Sequence, residues 1–169
     1  MQKKVLFVDD DENFLRSLKR ICIDEPYSVL SSMYPFEALD ILYDDTEKLI
    51  KVVVIDHKMP EMLGADLCAK IRKEYPHIVT IMLTGQADMD AIKKAVNEGE
   101  IFKFITKPFI VGELKDAISK ALDYQEKLEK LHKREISSSE KERILEELER
   151  QYPGITEVKK DDDGSIVID

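Results

Sequence analysis

Five short runs rich in β-branched residues, each followed by a segment of helical periodicity, restrict what this chain can fold into. The runs are Lys4–Val8, Tyr27–Ser31, Val52–Ile55, Thr80–Leu83 and Phe102–Ile105. Between them, Asn13–Cys22 sets Phe14, Leu15, Leu18 and Ile21 on one side, and Pro35–Tyr43 carries proline at its first position. Gly64–Tyr75 turns Leu67, Cys68 and Ile71 inward, Met89–Glu98 does the same with Ile92, Ala95 and Val96, and a fifth helix starts near Val111. Strands alternating with helices of about ten residues imply a parallel sheet covered on both faces. The third run, "VVVI", lacks polar alternation, as a strand buried on both sides requires.

Right-handed crossovers limit the ways such a chain can wind. Helices reach both faces only if the chain winds one way and then reverses, and strand order 2-1-3-4-5 satisfies this for five strands. The reversal, where ligands bind, then falls between the carboxyl ends of strands 1 and 3. Those ends carry "DDD" (Asp9–Asp11) and Asp56, so two separately located acidic sites meet in one crevice. Asp11 reads as the cap of the first helix. Asp9, Asp10 and Asp56 would repel one another if unpaired, and a hard divalent cation relieves that repulsion. Oxygen-only ligands in a shallow open crevice suit Mg²⁺, through which an anionic group could bind. Strand 4 ends "IMLTG", with Thr84 at its carboxyl end and Gly85 allowing close backbone approach. Strand 5 ends "FKFITKPF", with Lys107 just beyond it. Every strand end near the reversal thus offers a group suited to an anion.

With these residues in place, the segment Gln2–Leu122 resembles the receiver domain of two-component response regulators. The motifs "VLFVDDDE", "VVVIDHKMP…MLG", "IMLTG" and "KFITKPF" stand in that family's order and spacing. The resemblance implies phosphotransfer from a sensor histidine kinase or phosphotransfer protein to Asp56 as a covalent acyl phosphate. It implies Asp10, Asp56 and the Lys58 backbone carbonyl as direct Mg²⁺ ligands, with Asp9 acting through water. Lys107 would contact the phosphoryl group, the Lys107–Pro108 bond would be cis, and Thr84 would be the switch hydroxyl. Phe104 would be the paired switch aromatic, and the responding face would be helix 4, strand 5 and helix 5. Lys58 and Gln86 would flank the path of attacking water and set phosphoryl lifetime, with Lys58 shielding the group and slowing its loss. Such a protein catalyses its own phosphorylation and autodephosphorylation and is not a conventional enzyme.

His57 alternates away from the Asp56 side and reads as non-chemical. His77 sits at the opposite end of the sheet, and His132 lies on the extended helix; both read as solvated surface residues. Cys22 and Cys68 read as small buried side chains of a reducing cytoplasm. A haloacid-dehalogenase-type Mg²⁺ phosphohydrolase also uses a nucleophilic Asp at a strand end, but needs a second Asp two positions on, where this chain has Lys58. A flavodoxin-type flavin carrier would set three acids against the flavin phosphate and lacks its Ser/Thr-rich loop.

The tail changes composition. "DYQEKLEKLHKREISSSEKERILEELERQY" is rich in Glu, Lys and Leu. Helix 5 is expected to run to about Glu135, either as a solvated extension or with Ile118, Ala121, Leu128 and Leu131 forming a coiled-coil seam that would make a homodimer or extend a signalling helix. Ser139 and Glu142 read as the capping box of a second helix running to about Gln151. The final "ITEVKKDDDGSIVID" reads as a β-hairpin. The expected fold is α/β, a flavodoxin-like doubly wound five-stranded parallel sheet with a C-terminal helical extension and short hairpin. Its parts are a receiver domain at 1–123, the extension at 124–151 and the tail at 152–169. The closing hairpin argues for a stand-alone protein acting by protein–protein contact; the alternative is the receiver fragment of a longer regulator. A net charge of −9 disfavours nucleic acid and anionic membrane as partners. The first apolar run is too short for a signal peptide or span, so a cytoplasmic location is expected.

Overall fold

The computed structural model describes residues 1–97, 101–132, 137–153, 159–160 and 166–167. Strands β1 (Lys4–Val8), β2 (Ser28–Ser32), β3 (Ile50–Asp56), β4 (Val79–Thr84) and β5 (Lys103–Thr106) alternate with helices α1 (Glu12–Ile21), α2 (Pro35–Asp44), α3 (Gly64–Glu74), α4 (Met89–Asn97) and α5 (Val111–His132). The five strands form one parallel sheet of order β2-β1-β3-β4-β5, as the crossover rule requires. The chain divides into a compact unit, Met1–Glu126, and a second, Lys127–Asp169.

Period-two alternation divides the first unit's core into two layers. Val5 and Phe7 of β1 and Val52 and Val54 of β3 face Leu15 and Leu18 of α1 and Leu114, Ala117, Ile118 and Ala121 of α5. Leu6, Val8, Val53 and Ile55 face the other way, onto Leu42 of α2, Leu67 and Ile71 of α3, and Ile92 of α4. The unbroken "VVVI" thus serves both layers. Cys22 and Cys68 are buried free thiols. Ile118 and Ala121 are wholly buried in the α1–α5 layer. Two of the four seam positions expected for a coiled coil are therefore consumed by the chain's own core.

Loop chemistry fixes where the helices begin. Asp11 caps α1, its Oδ1 accepting the Phe14 N–H at 3.1 Å. The connection from β3 to α3 is pinned at its root, where the Gly64 N–H donates to the His57 carbonyl at 2.8 Å. A Cβ on Gly64 would lie 2.5 Å from the Asp56 carbonyl oxygen and 2.8 Å from His57 Cα. Gly85 has no such crowding, since a Cβ there meets nothing within 4 Å. At Gly64, by contrast, the backbone itself leaves no space for a side chain.

In the second unit, α6 (Ser138–Gln151) is capped by Ser137, whose side chain accepts the Glu140 N–H at 3.3 Å. The cap expected at Ser139 lies two residues earlier because the triple serine offers a cap–Glu spacing one helical half-turn sooner, with Ser137 and Glu140 in place of Ser139 and Glu142. Lys127 Nζ binds Glu147 Oε1 at 3.0 Å and Gln151 Oε1 at 3.1 Å. Two short strands, β6 (Lys159–Lys160) and β7 (Ile166–Val167), pair antiparallel. The "DDDG" turn expected between them, and residues 133–135 of the expected helix 5, lie outside the described residues. Among the described residues, no helix is long and apolar enough to cross a membrane.

Gly64→Ala should destabilise the fold by about 1–3 kcal/mol, the usual cost of overpacking against immobile backbone. Gly85→Ala should be close to neutral; urea denaturation of both variants checks the contrast.

Candidate functional site

The carboxyl edge of the sheet gathers the polar residues. Asp9 follows β1, Asp56 ends β3, Thr84 ends β4, and Lys107 follows β5. Strands β1 and β3 are direct neighbours, so Asp9 and Asp56 converge. One carboxylate oxygen from each of Asp9, Asp10 and Asp56 lies within 4.8 Å of the others. Asp9 is 2% exposed and Asp56 8%, whereas Asp10 is exposed.

Lys107 counters the two buried acids. Its Nζ lies 2.9 Å from both Asp9 Oδ2 and Asp56 Oδ1. Its root is held by its own N–H, which donates to the Thr84 carbonyl at 2.7 Å. The Lys107–Pro108 bond is cis. The ammonium also lies 4.9 Å from the centroid of the Phe14 ring, within cation–π range. Phe109 packs edge-on against Phe14 at 6.1 Å between centroids. Asp9 Oδ1 accepts the Asp11 N–H at 2.9 Å, so both Asp9 oxygens already serve the protein.

Burial raises the Asp56 carboxyl above the ordinary carboxylate range; the Lys107 hydrogen bond opposes this, while Asp9 and Asp10 add to it. Burial works against the Lys107 charge, but hydrogen bonds to Asp56 and Asp9 outweigh it and hold the ammonium above its usual range. Three carboxylates and one ammonium leave a formal −3 + 1 = −2 at the site when all are ionised. An all-oxygen donor set with that residual charge fits a hard divalent cation.

The flanking residues take distinct positions. Thr84 is fully buried, and its Oγ1 donates to the Gly85 carbonyl at 3.2 Å. Phe104 is half-buried against the layer containing α2, α3 and α4. Gln86 is exposed and opens the 3-10 turn Gln86–Asp88. Lys58 forms an ion pair with Asp88, Nζ to Oδ2 3.2 Å. His57 is 6% exposed, and among the described residues its Nδ1 has no hydrogen-bond partner. His132 is exposed, but His77 is half-buried, edge-on to Tyr75 at 6.5 Å. His77 is thus only partly solvated. Sequence reasoning did not find the Phe14 ring beneath Lys107 or Asp88 beside Lys58. Phe14 was legible as an inward helix residue, but nothing in its spacing to Lys107 signals contact.

Residues 5–119 match the family model described as the response regulator receiver domain. The hydrogenase transcriptional regulatory protein HoxA of Cupriavidus necator is 32% identical over 124 residues, covering 73% of this chain and 25% of that protein. Sporulation initiation phosphotransferase F of Bacillus subtilis is 29% identical over 122 residues, covering 72% and 95% respectively. The crystal structure of a response regulator receiver domain protein from Clostridium thermocellum superposes with a TM-score of 0.70 at 32% identity, covering 75% of this chain and 98% of that one. The match spans about a quarter of the length of the transcriptional regulators it resembles.

A raised folded-state pKa means that ionising Asp56 opposes folding. The cost is absent while folded and unfolded states are both protonated, grows as pH rises through the ordinary carboxylate range, and is complete above the raised value. Without divalent cations, Asp56→Asn should therefore melt above the wild type at neutral pH. The gap should close as pH falls toward about 4; thermal melts across that range read it.

Proposed function

The chain belongs to the response regulator receiver domain family, and from that premise we propose that Asp56 accepts a phosphoryl group from a sensor histidine kinase or phosphotransfer protein. The observation that carries this reading is the meeting of Asp9, Asp10, Asp56 and Lys107 at one sheet edge. An Asp56 oxygen attacks phosphorus in line, the new P–O bond forms, and the donor leaves with the electron pair of its broken bond. Lys107 starts on the Asp56 carboxylate. When that oxygen becomes part of an acyl phosphate, the ammonium can pass to a phosphoryl oxygen without leaving the site. Asp10, Asp56 and the Lys58 carbonyl would hold Mg²⁺ directly and Asp9 through water, supplying charge neutralisation for the transferring group.

Thr84 makes the switch plausible in energetic terms. Its hydroxyl is occupied by the Gly85 carbonyl, a neutral acceptor, and a phosphoryl oxygen is a stronger one. Exchanging partners is a differential interaction, the only kind that shifts a two-state equilibrium. Phe104, half-buried beside α4, would follow, and α4, β5 and α5 would present a changed face to a downstream protein. Lys58 and Gln86 flank the site, and Lys58 would prolong phosphoryl lifetime by shielding. The reading places the receiver at 1–123, with 124–151 as helical extension and 152–169 as tail, in a cytoplasmic protein working by protein–protein contact and not on nucleic acid. A second reading, supported by the quarter-length coverage of the transcriptional regulators, is that the chain is the receiver part of a longer regulator.

Incubation with Mg²⁺ and acetyl phosphate should add one phosphoryl group by intact mass. Asp56→Asn should stay unlabelled, and chelation should abolish labelling. Lys107→Ala should slow it by about 100-fold, the scale of losing one preorganised electrostatic donor. Equal labelling of wild type and Asp56→Asn would sink the proposal, and rapid turnover of a phosphoester would point to a hydrolase. Once the protein is loaded and the donor removed, Lys58→Ala should lose the group several-fold faster than wild type.

A further inference from the structure

One ion pair ties Lys58 to a residue with no role so far, and it joins two connections at the sheet edge. Lys58 Nζ lies 3.2 Å from Asp88 Oδ2, with the two side chains 68% and 21% exposed. Lys58 stands two residues beyond Asp56, the last residue of β3. Asp88 ends the 3-10 turn that begins two residues beyond Thr84, the last residue of β4. Since β3 and β4 are paired neighbours, the ion pair spans the gap between the strand ends carrying Asp56 and Thr84.

Both connections are fixed by backbone contacts. The Met62 N–H donates to the Pro60 carbonyl at 2.9 Å and the Gly64 N–H to the His57 carbonyl at 2.8 Å. Glu61 adopts a left-handed φ of 74° inside that loop. On the other side, the Asp88 N–H donates to the Gly85 carbonyl at 3.3 Å. The loops are thus set, and the Lys58 ammonium meets the Asp88 carboxylate across the gap between them.

We propose that Asp88 is a positioning residue that holds the Lys58 ammonium across the mouth between β3 and β4 and so slows hydrolysis of the phosphoryl group on Asp56. This rests on the Asp56 reading above. In that hydrolysis a water oxygen bonds to phosphorus and the bond between phosphorus and the Asp56 oxygen breaks. The electron pair stays on the restored carboxylate, inorganic phosphate leaves, and one proton passes to solvent. A lysine free to sample its rotamers covers the approach only part of the time. Tied at its far end, it covers the approach persistently, and its three N–H donors allow it to meet Asp88 and a phosphoryl oxygen together. Asp88 touches neither water nor phosphorus; it acts through Lys58.

The test uses the full chain loaded with acetyl phosphate and Mg²⁺, freed of donor, and followed by intact mass. Asp88→Asn should lose the label about two- to fivefold faster, the range set by an exposed ion pair, and Asp88→Glu should restore slow loss. In a Lys58→Ala background, which keeps the backbone carbonyl, Asp88→Asn should cause no further change. Raising the salt concentration should speed loss in wild type and not in Lys58→Ala. Unchanged or slower loss in Asp88→Asn overturns the inference, as does equal acceleration in the Lys58→Ala background. A wild type that never labels overturns the Asp56 reading itself, whereas one that labels and decays independently of Asp88 removes only this inference.

Discussion

Lys107 brings its ammonium to within 2.9 Å of both Asp9 and Asp56, and the acidic edge of the sheet depends on that contact. Strand order makes β1 and β3 neighbours, so their terminal acids meet whether or not their charges favour it. Two of them are also nearly removed from water. Coulomb repulsion in such a setting is stronger than at an open surface, because water screens it less. The counter-charge comes from beyond β5, the far edge strand, and is anchored through the Thr84 carbonyl on the strand between. The Lys107 ammonium and the Thr84 hydroxyl are therefore rooted on one residue's backbone and side chain. A change in what either group binds is felt at the end of β4.

This arrangement leaves the site short of neutrality in a useful way. A fully compensated cluster would have no reason to take up a cation or to react. A bare cluster of three acids would protonate or push apart. One lysine among three carboxylates lies between these limits. Burial separates Asp56 from Asp10. Asp10 is exposed to solvent, while Asp56 is buried and pushed toward its neutral form.

The sheet and its acidic crevice were legible because they follow from rules that tolerate imprecise boundaries. Strand β3 begins two residues before the run Val52–Ile55 and ends at Asp56, yet neither shift alters strand order or the location of the reversal. Readings that depended on a single residue fared less well. Three consecutive serines offered several caps, and the one used was Ser137. Ile118 and Ala121 fitted a coiled-coil spacing equally well as a core-facing stripe, and burial chose the core. Gly85 and Gly64 look alike in sequence, but only Gly64 meets backbone. The Lys58–Asp88 pair was invisible because thirty positions and a whole helix–strand unit separate the two charges, and no periodicity links them.

The knot at Gly64 has a consequence for how such a chain can change over time. His57 and Gly64 are joined by a 2.8 Å backbone hydrogen bond, and the glycine sits against the Asp56 carbonyl with no room for a side chain. The six residues between them therefore leave and return at one fixed point. Substitutions along Lys58–Leu63 can alter charge, reach and shape beside Asp56 while the strand before and the helix after stay in register. The fold thus gives the chain one stretch beside Asp56 that can vary in sequence while its two ends stay joined, which separates change near the acidic cluster from change in the fold itself.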